Sequence, residues 1–541
     1  LFENVEKQPS NNFQTTFKQP LNNLQTTFKQ HQKFKTMKNI RIFILTVLLF
    51  GSASCGKDFG DININPNNPS EVSPDFLFTS AAQSIAIFNS GGGHVYFVQL
   101  WAQHFCQNNY TDESRFRVRP DANNSNWSWL YSGPLFDLVE VKKLLPNANT
   151  LDPAEVTQNK MAIADVLSVF QWHVITDIYG PVPYSEALQG SSNRTPTYDS
   201  QKDIYTDLLN RLRTASEQMD PDYGSFGNAD PIYSGDVAKW KAFANSLRLR
   251  IAMRMADVEA GAAKAEVEAA WSAAFTSNDE NAYFHFLTGQ PNNHPLNQFR
   301  IDRGDADFGL SSTLIDNTLL PLNDPRLPVF ADEKVDGGGY AGRPYGQDSG
   351  HAASESPDLY SQPSGASAIR GERGFRSLDI LKSDAVGRFM SYAEVCFILA
   401  EARERGWTVS GTAAEWYEKG VRASLEEWGI ADVTIQDAYL SQAAVAYATA
   451  EGDWKQKIGV QKWVALFLNG IQGWSEWRRL DFEKLEPCAD GPLFDVGDNP
   501  VPIRMTYPTN EQSQNNASYQ AALGLLGGPD YLTTRVWWDV K

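Results

Sequence analysis

Asn108, Asn109, Tyr110, Arg115 and Phe116 crowd into one stretch, "NNYTDESRF", and Trp127 and Trp129 follow in "NWSWLY". Tyr340, Tyr345 and Tyr360 recur far along the chain in "GGGYAGRPYGQDSGHAASESPDLY". These residue types favour recognition over bond making. An aromatic face covers the flat C–H face of a sugar ring, while amides, hydroxyls and a guanidinium bridge the hydroxyls at its edge. The candidate ligand-binding residues are therefore Asn109, Tyr110, Arg115, Phe116, Trp127, Tyr340 and Tyr345. The bland role for each aromatic is to pin its own loop to the scaffold, and Trp127, Trp129 and Tyr131 are also placed to open a helix.

Signatures of catalysis are missing from the sequence. There is no G-x-S-x-G, H-E-x-x-H, phosphate-binding Walker loop or C-x-x-C. "GGGYAG" (337–342) fits G-x-G-x-x-G, but no hydrophobic strand precedes it and no helix follows, which makes it a loop. "DININPNNPSEV" (61–72) begins like a calcium loop but has Pro66 at the glycine position and Val72 at the closing glutamate. The histidines show no helical metal spacing, so neither a metal nor a cofactor is expected. Glu394, Glu401 and Glu404 are the carboxylates best placed for a glycosidase pair. Arg403 and Arg405 stand on the same helix, and a solvated or ion-paired role is expected for all three. The chain reads as a binding protein and not an enzyme, with a surface glycoside hydrolase and an adhesion protein as alternatives.

The elements that must position these residues are mostly helical. Ile163, Leu167, Phe170, Val174 and Ile178 repeat at helical spacing, as do Trp240, Phe243, Leu247, Ile251 and Met255. Asp236 is an expected N-cap, and Ser200 with Asp203 an expected capping box for a helix over 201–218. Further helices are expected over 389–405, 412–428 and 457–480. The segment 392–429 has the length and turn of a tetratricopeptide unit, so the fold class is all-α: an array of helical hairpins with long irregular loops. The aperiodic segments 106–126, 276–310 and 331–388 are the expected working face.

The net charge of −18 disfavours nucleic acid, and no basic stripe offsets it. Ile40 to Gly51 is the one strongly apolar run, too short to span a bilayer but suited to the centre of a signal peptide. The expected organisation is an upstream extension over 1–36, not part of the native protein, a lipoprotein signal peptide over 37–54, and one domain over 55–541. Cys55, after Ser52-Ala53-Ser54, is the expected lipidation site, with an ordinary signal-peptidase site as the alternative. Cys106, Cys396 and Cys488 are too few and too scattered for a disulfide framework.

Several phrases, in order, resemble the SusD/RagB family of nutrient-binding outer-membrane lipoproteins: "DIYGPVPYSEAL", "DVAKWKAFANSLRLRIAMR", "NDPRLPVF", "MSYAEVCFILAEARERGW" and "QKWVALFLNGIQGWSEWRRL". The resemblance spans the chain after the signal segment. It implies a helical fold with tetratricopeptide-like units and a lipid anchor on the outer face of the outer membrane. It further implies no catalysis and a SusC-like TonB-dependent β-barrel partner that receives an oligosaccharide or a peptide. The shared phrases are scaffold, so the resemblance carries no ligand residue across.

Overall fold

The computed structural model describes residues 72–91, 97–148, 151–303 and 307–540. Cys55, the expected signal peptide and the 1–36 extension lie outside the described residues. Val72–Lys541 forms one compact unit. Among the described residues, twelve helices of eleven residues or more carry the structure: α1 (Pro74–Asn89), α2 (Pro120–Leu130), α3 (Phe136–Ala148), α4 (Ala154–Tyr179), α5 (Gln201–Gln218), α6 (Val237–Arg254), α7 (Ala260–Ala270), α8 (Tyr392–Glu404), α9 (Ala413–Glu427), α10 (Trp454–Ala465), α11 (Gly470–Leu480) and α12 (Asn516–Leu526). Eight short strands pair antiparallel into four two-stranded ribbons: β1 (Phe105–Gln107) with β5 (Phe308–Leu310), β2 (Val182–Pro183) with β3 (Tyr198–Asp199), β4 (Ala282–His285) with β8 (Val386–Met390), and β6 (Ala331–Asp332) with β7 (Gln362–Pro363). The class is all-α, as the periodicity predicts.

The caps form where the sequence places them. Ser200 Oγ accepts from the Asp203 amide at 3.1 Å and opens α5, and Asp236 accepts from the Lys239 amide at 3.1 Å and opens α6. Helix α8, a Gly/Ser turn and α9 form the expected hairpin, with Thr412 and Glu415 closing a reciprocal capping box. The two helices approach closely at Gly420, where an added Cβ would lie 3.0 Å from the Phe397 ring.

Three expectations are corrected. The helix expected over 457–480 breaks into α10 and α11, and Leu468 turns left-handed at φ +68°. Both arms are buried, so the apolar stripe runs through the break without marking it; the Gln99 side chain donates to the Leu468 carbonyl at 3.1 Å. The helix expected from 389 starts at Tyr392, because Phe389 and Met390 belong to β8. The aperiodic stretch 106–126 gives way to α2 at Pro120, a proline with φ preset for a first turn.

Helix α4 is the hub, with every residue from Val166 to Tyr179 buried. Its 18-residue window of mean hydropathy 1.2 is apolar enough to cross a membrane by length and composition, and 89% of that window is buried inside the protein. Charges are threaded through the same core. Arg250 forms a bidentate pair with Glu394 (2.7 and 2.6 Å), and Arg479 does so with Glu401 (2.5 Å twice). Glu476 accepts from Arg254, Lys462 and Arg479 within 2.8 Å. Glu404 instead accepts from the Tyr447 hydroxyl at 2.6 Å. The carboxylates best placed in sequence for a glycosidase pair are thus engaged in the scaffold.

Candidate functional site

The β1–β5 ribbon sets the site. Gln107 faces Phe308 at its end, and the Asn108 amide continues the ladder by donating to the Asp307 carbonyl at 2.7 Å. Beyond it the chain turns sharply: Tyr110 holds φ +51°, and its side chain stands 73% exposed. Asn109 Nδ2 donates to Asp307 Oδ1 at 3.3 Å, which ties the turn back to the opposite strand. Beneath Tyr110 lies a cleft of 380 Å³ lined by Gln107, Asn109, Tyr110, Asp112, Glu113, Arg119, Phe299, Asp307, Phe308 and Ser349.

The polar walls are held by their own network. Gln107 Nε2 donates to Glu113 Oε2 at 2.8 Å, and Arg119 Nε donates to Glu113 Oε1 at 3.1 Å, so both Glu113 oxygens are engaged. Gln107 and Ser114 exchange two further bonds, of 3.2 and 2.9 Å. The Phe299 and Phe308 rings pack 5.2 Å apart and form the apolar wall. The third wall is a one-turn helix, Ser349–Ser354, capped by Asp348. The hydroxyls of Ser349 and Thr111 lie 3.2 Å apart.

A latch behind this wall joins two loops. Asp490 accepts from the Asp348 amide and from His351 Nδ1, each at 2.8 Å. Those same bonds hold the Asp490 carboxyl below the usual range, and the one from Asp490 raises the His351 imidazole above its own. Arg115 reinforces the same junction, with Nε donating to the Gly491 carbonyl (2.8 Å) and Nη2 to that of Asp490 (3.1 Å).

The seven candidate residues therefore separate. Asn109 and Tyr110 meet in the cleft. Arg115 serves the loop junction behind it. Phe116 is 1% exposed and packs edge-on against Trp101; Tyr345 is 2% exposed, and burial pushes its phenol well above the usual range. Trp127 is buried within α2 among Tyr131, Tyr179, Tyr198 and Tyr507. These three face the core and offer no open stacking surface, which corrects their candidacy. Tyr340 lines a separate cleft. Phe299, Phe308, Asp307 and Ser349 join from sequence-distant segments, Phe299 on the helix Pro295–Arg303 and Phe308 on β5; an aromatic pair nine residues apart in "FRIDRGDADF" was the available signal.

Elsewhere, a groove of 490 Å³ has one aromatic, Tyr417, which is 1% exposed and donates its hydroxyl to the Val445 carbonyl at 2.7 Å. Among the described residues no group of three His, Cys, Asp or Glu side chains is arranged to hold a metal ion. The Tyr110 cleft thus combines an exposed aromatic face, an apolar wall and alternating donors and acceptors. Those are the groups whose chemistry complements a polyhydroxylated ring.

Comparison with known proteins agrees with the fold. No curated protein matches the chain. A chitin-binding protein of known structure is 28% identical, with a TM-score of 0.73 over 87% of this chain and 100% of its own. A SusD homologue from Bacteroides uniformis is 26% identical, with a TM-score of 0.71 over 86% of this chain and 99% of its own. A chitin-binding SusD homologue from Flavobacterium johnsoniae, 23% identical with a TM-score of 0.71 over 86% and 98%, shares the fold. The family model described as starch-binding associating with outer membrane matches residues 66–508, and the chain belongs to this SusD-like family.

Proposed function

We propose that this protein is a non-catalytic surface lipoprotein, anchored through Cys55 to the outer membrane and facing outward. It holds an oligosaccharide in the Tyr110 cleft and delivers it to a SusC-like TonB-dependent barrel. The observation that carries the reading is Tyr110 itself, an aromatic ring kept in solvent at a left-handed φ above a polar cleft. A residue that only pinned its loop would bury that ring. The chitin-binding relative at 28% identity supports N-acetylglucosamine oligomers as the first ligand to test. The Phe299–Phe308 wall offers an apolar surface for an acetamido methyl group.

Calorimetric titration of the purified protein with N-acetylglucosamine, starch and other neutral oligosaccharides, and with peptides, tests this. Binding of an oligosaccharide that weakens about tenfold in Tyr110→Ala is expected, since stacking on one well-placed aromatic contributes about 1.4 kcal/mol. Binding of peptides alone would keep the transport role and overturn the glycan. New reducing ends formed in a sustained reaction would overturn the non-catalytic reading.

A further inference from the structure

We propose that the cleft beneath Tyr340 is a second saccharide site, which takes a distal stretch of the same neutral oligomer that the Tyr110 cleft holds. This inference rests on the glycan reading above and extends it to a part of the molecule that reading does not use.

The Tyr340 cleft measures 430 Å³, slightly more than the Tyr110 cleft, and its upper rim includes Glu333, Lys334, Tyr340, Arg370 and Glu372. Its floor is built on two buried carboxylates. Asp332 accepts from Arg373 Nη2 (2.7 Å), the Ser367 hydroxyl (2.7 Å) and the Ser367 amide (2.8 Å). Asp379 accepts from Arg373 Nη1 (2.5 Å) and Arg376 Nε (2.8 Å). Asp332 is 8% and Asp379 2% exposed, so both guanidiniums rest on fixed supports. Donors fixed before a ligand arrives lose little side-chain freedom when it does.

The platform is positioned by backbone that only glycine adopts easily. Gly337, Gly338 and Gly339 hold φ of +82°, +66° and +69° in succession. Glu333 Oε2 accepts from the Gly339 amide at 3.2 Å and the Lys334 amide donates to the Gly339 carbonyl at 2.9 Å, folding the turn back on itself. Tyr340 follows directly, half-buried at the cleft edge, and its hydroxyl has no hydrogen-bond partner among the described residues. The "GGGYAG" motif thus aims a tyrosine and cradles no phosphate.

Charge identifies the ligand class. Lys334, Arg370, Arg373 and Arg376 line the cleft with Asp332, Glu333 and Glu372, and the fourth carboxylate that balances them, Asp379, lies behind the lining, paired with Arg373 and Arg376. The cluster is neutral overall and rich in both donors and acceptors, which suits hydroxyl groups and gives no net attraction for a sulfate or uronate. Position identifies the oligomer. Ser311 and Arg343 form a parallel bridge, with Phe308 three residues before the first and Tyr340 three residues before the second. The two aromatic Cα atoms therefore lie no more than roughly 25 Å apart, from the rise per extended residue and the strand spacing.

The test is calorimetry of the intact protein with the N-acetylglucosamine dimer and hexamer. The expected result is that Tyr340→Ala weakens the hexamer about tenfold and leaves the dimer unchanged, whereas Tyr110→Ala weakens both. Tyr340→Phe, which keeps the ring, retains hexamer affinity, and melting curves verify that each variant is folded. An unchanged hexamer affinity in folded Tyr340→Ala overturns the second site while leaving the first standing. Equal losses for dimer and hexamer also overturn it, because Tyr340 would then act on the first cleft. No binding of either oligomer by the unaltered protein overturns the second site and the N-acetylglucosamine assignment together, while the oligosaccharide reading of the first cleft is decided by the wider panel above.

Discussion

Tyr110 holds φ +51°, a backbone region that costs a non-glycine residue about 1 kcal/mol, and no burial of its ring offsets that cost. Function and stability should therefore separate at this position. Tyr110→Gly is expected to melt no lower than the parent, by up to about 1 kcal/mol of added stability, and to lose oligosaccharide affinity; a lowered melting temperature would show that the ring is structural. Gly309, on the facing strand, is the complementary probe. An added Cβ there would sit 3.0 Å from Asn108 Oδ1, which accepts from Arg343 Nη1 at 3.2 Å. Gly309→Ala should displace the turn carrying Asn109 and Tyr110 and weaken binding several-fold in a protein that still folds, as calorimetry beside melting would read. At this scale the crowding of aromatic and amide residues at 108–116 pointed to the loop that lines the cleft. It could not show which rings turn inward: Phe116 and Tyr110 share one loop, and only the tertiary neighbours Trp101 and Tyr345 decide that Phe116 is core.

At the scale of elements, periodicity located α4, α5, α6 and the α8–α9 hairpin because each packs a stripe against a neighbour, and the caps at Ser200 and Asp236 are local chemistry. What it missed depends on distant pairing. The β1–β5 ribbon joins residues some two hundred positions apart, and no local pattern marks Phe308 as the partner of Gln107. The hairpin itself offers a sharp test. Gly420 lets α9 approach Phe397 of α8, and an added Cβ would contact that ring at 3.0 Å. Gly420→Val is expected to lower stability by about 1–3 kcal/mol through overpacking, measured by denaturant unfolding. Unchanged stability would mean that the hairpin relaxes without cost. Glu401→Ala tests the ion-paired core: it leaves Arg479 buried with one partner fewer and should cost about 3–5 kcal/mol.

Across the whole molecule the buried histidines set the response to acid. His104, His173 and His294 are held at about 3 chiefly by burial, against an unfolded value near 6.5. Burial works against ionising Glu401 and Glu476 as well, but the cations around them together outweigh it and lower both carboxyls: Arg479 for each, with Arg405 at Glu401 and Lys462 and Arg254 at Glu476. The sign follows for each group. The folded form binds fewer protons than the unfolded chain, so stability is complete above pH 6.5 and declines as pH falls towards 3. Each histidine contributes a slope of up to about 1.4 kcal/mol per pH unit. Melting temperatures should drop steeply between pH 6.5 and 4, and a flat profile there would show that these imidazoles are hydrated.

Helix α4 carries one more consequence. Gln171, His173, Thr176 and Asp177 interrupt its apolar surface, and in the folded core they are fully buried. The outward-facing location proposed above requires this stretch to cross a bilayer on its way out, and a run this apolar would invite arrest and lateral release into lipid. The same polar side chains that the core must accommodate lower the segment's tendency to stay there. His173→Leu combined with Asp177→Leu should therefore leave a fraction of the nascent chains embedded in the inner membrane, measurable by fractionation. Full passage of that variant would mean that translocation is indifferent to the composition of α4.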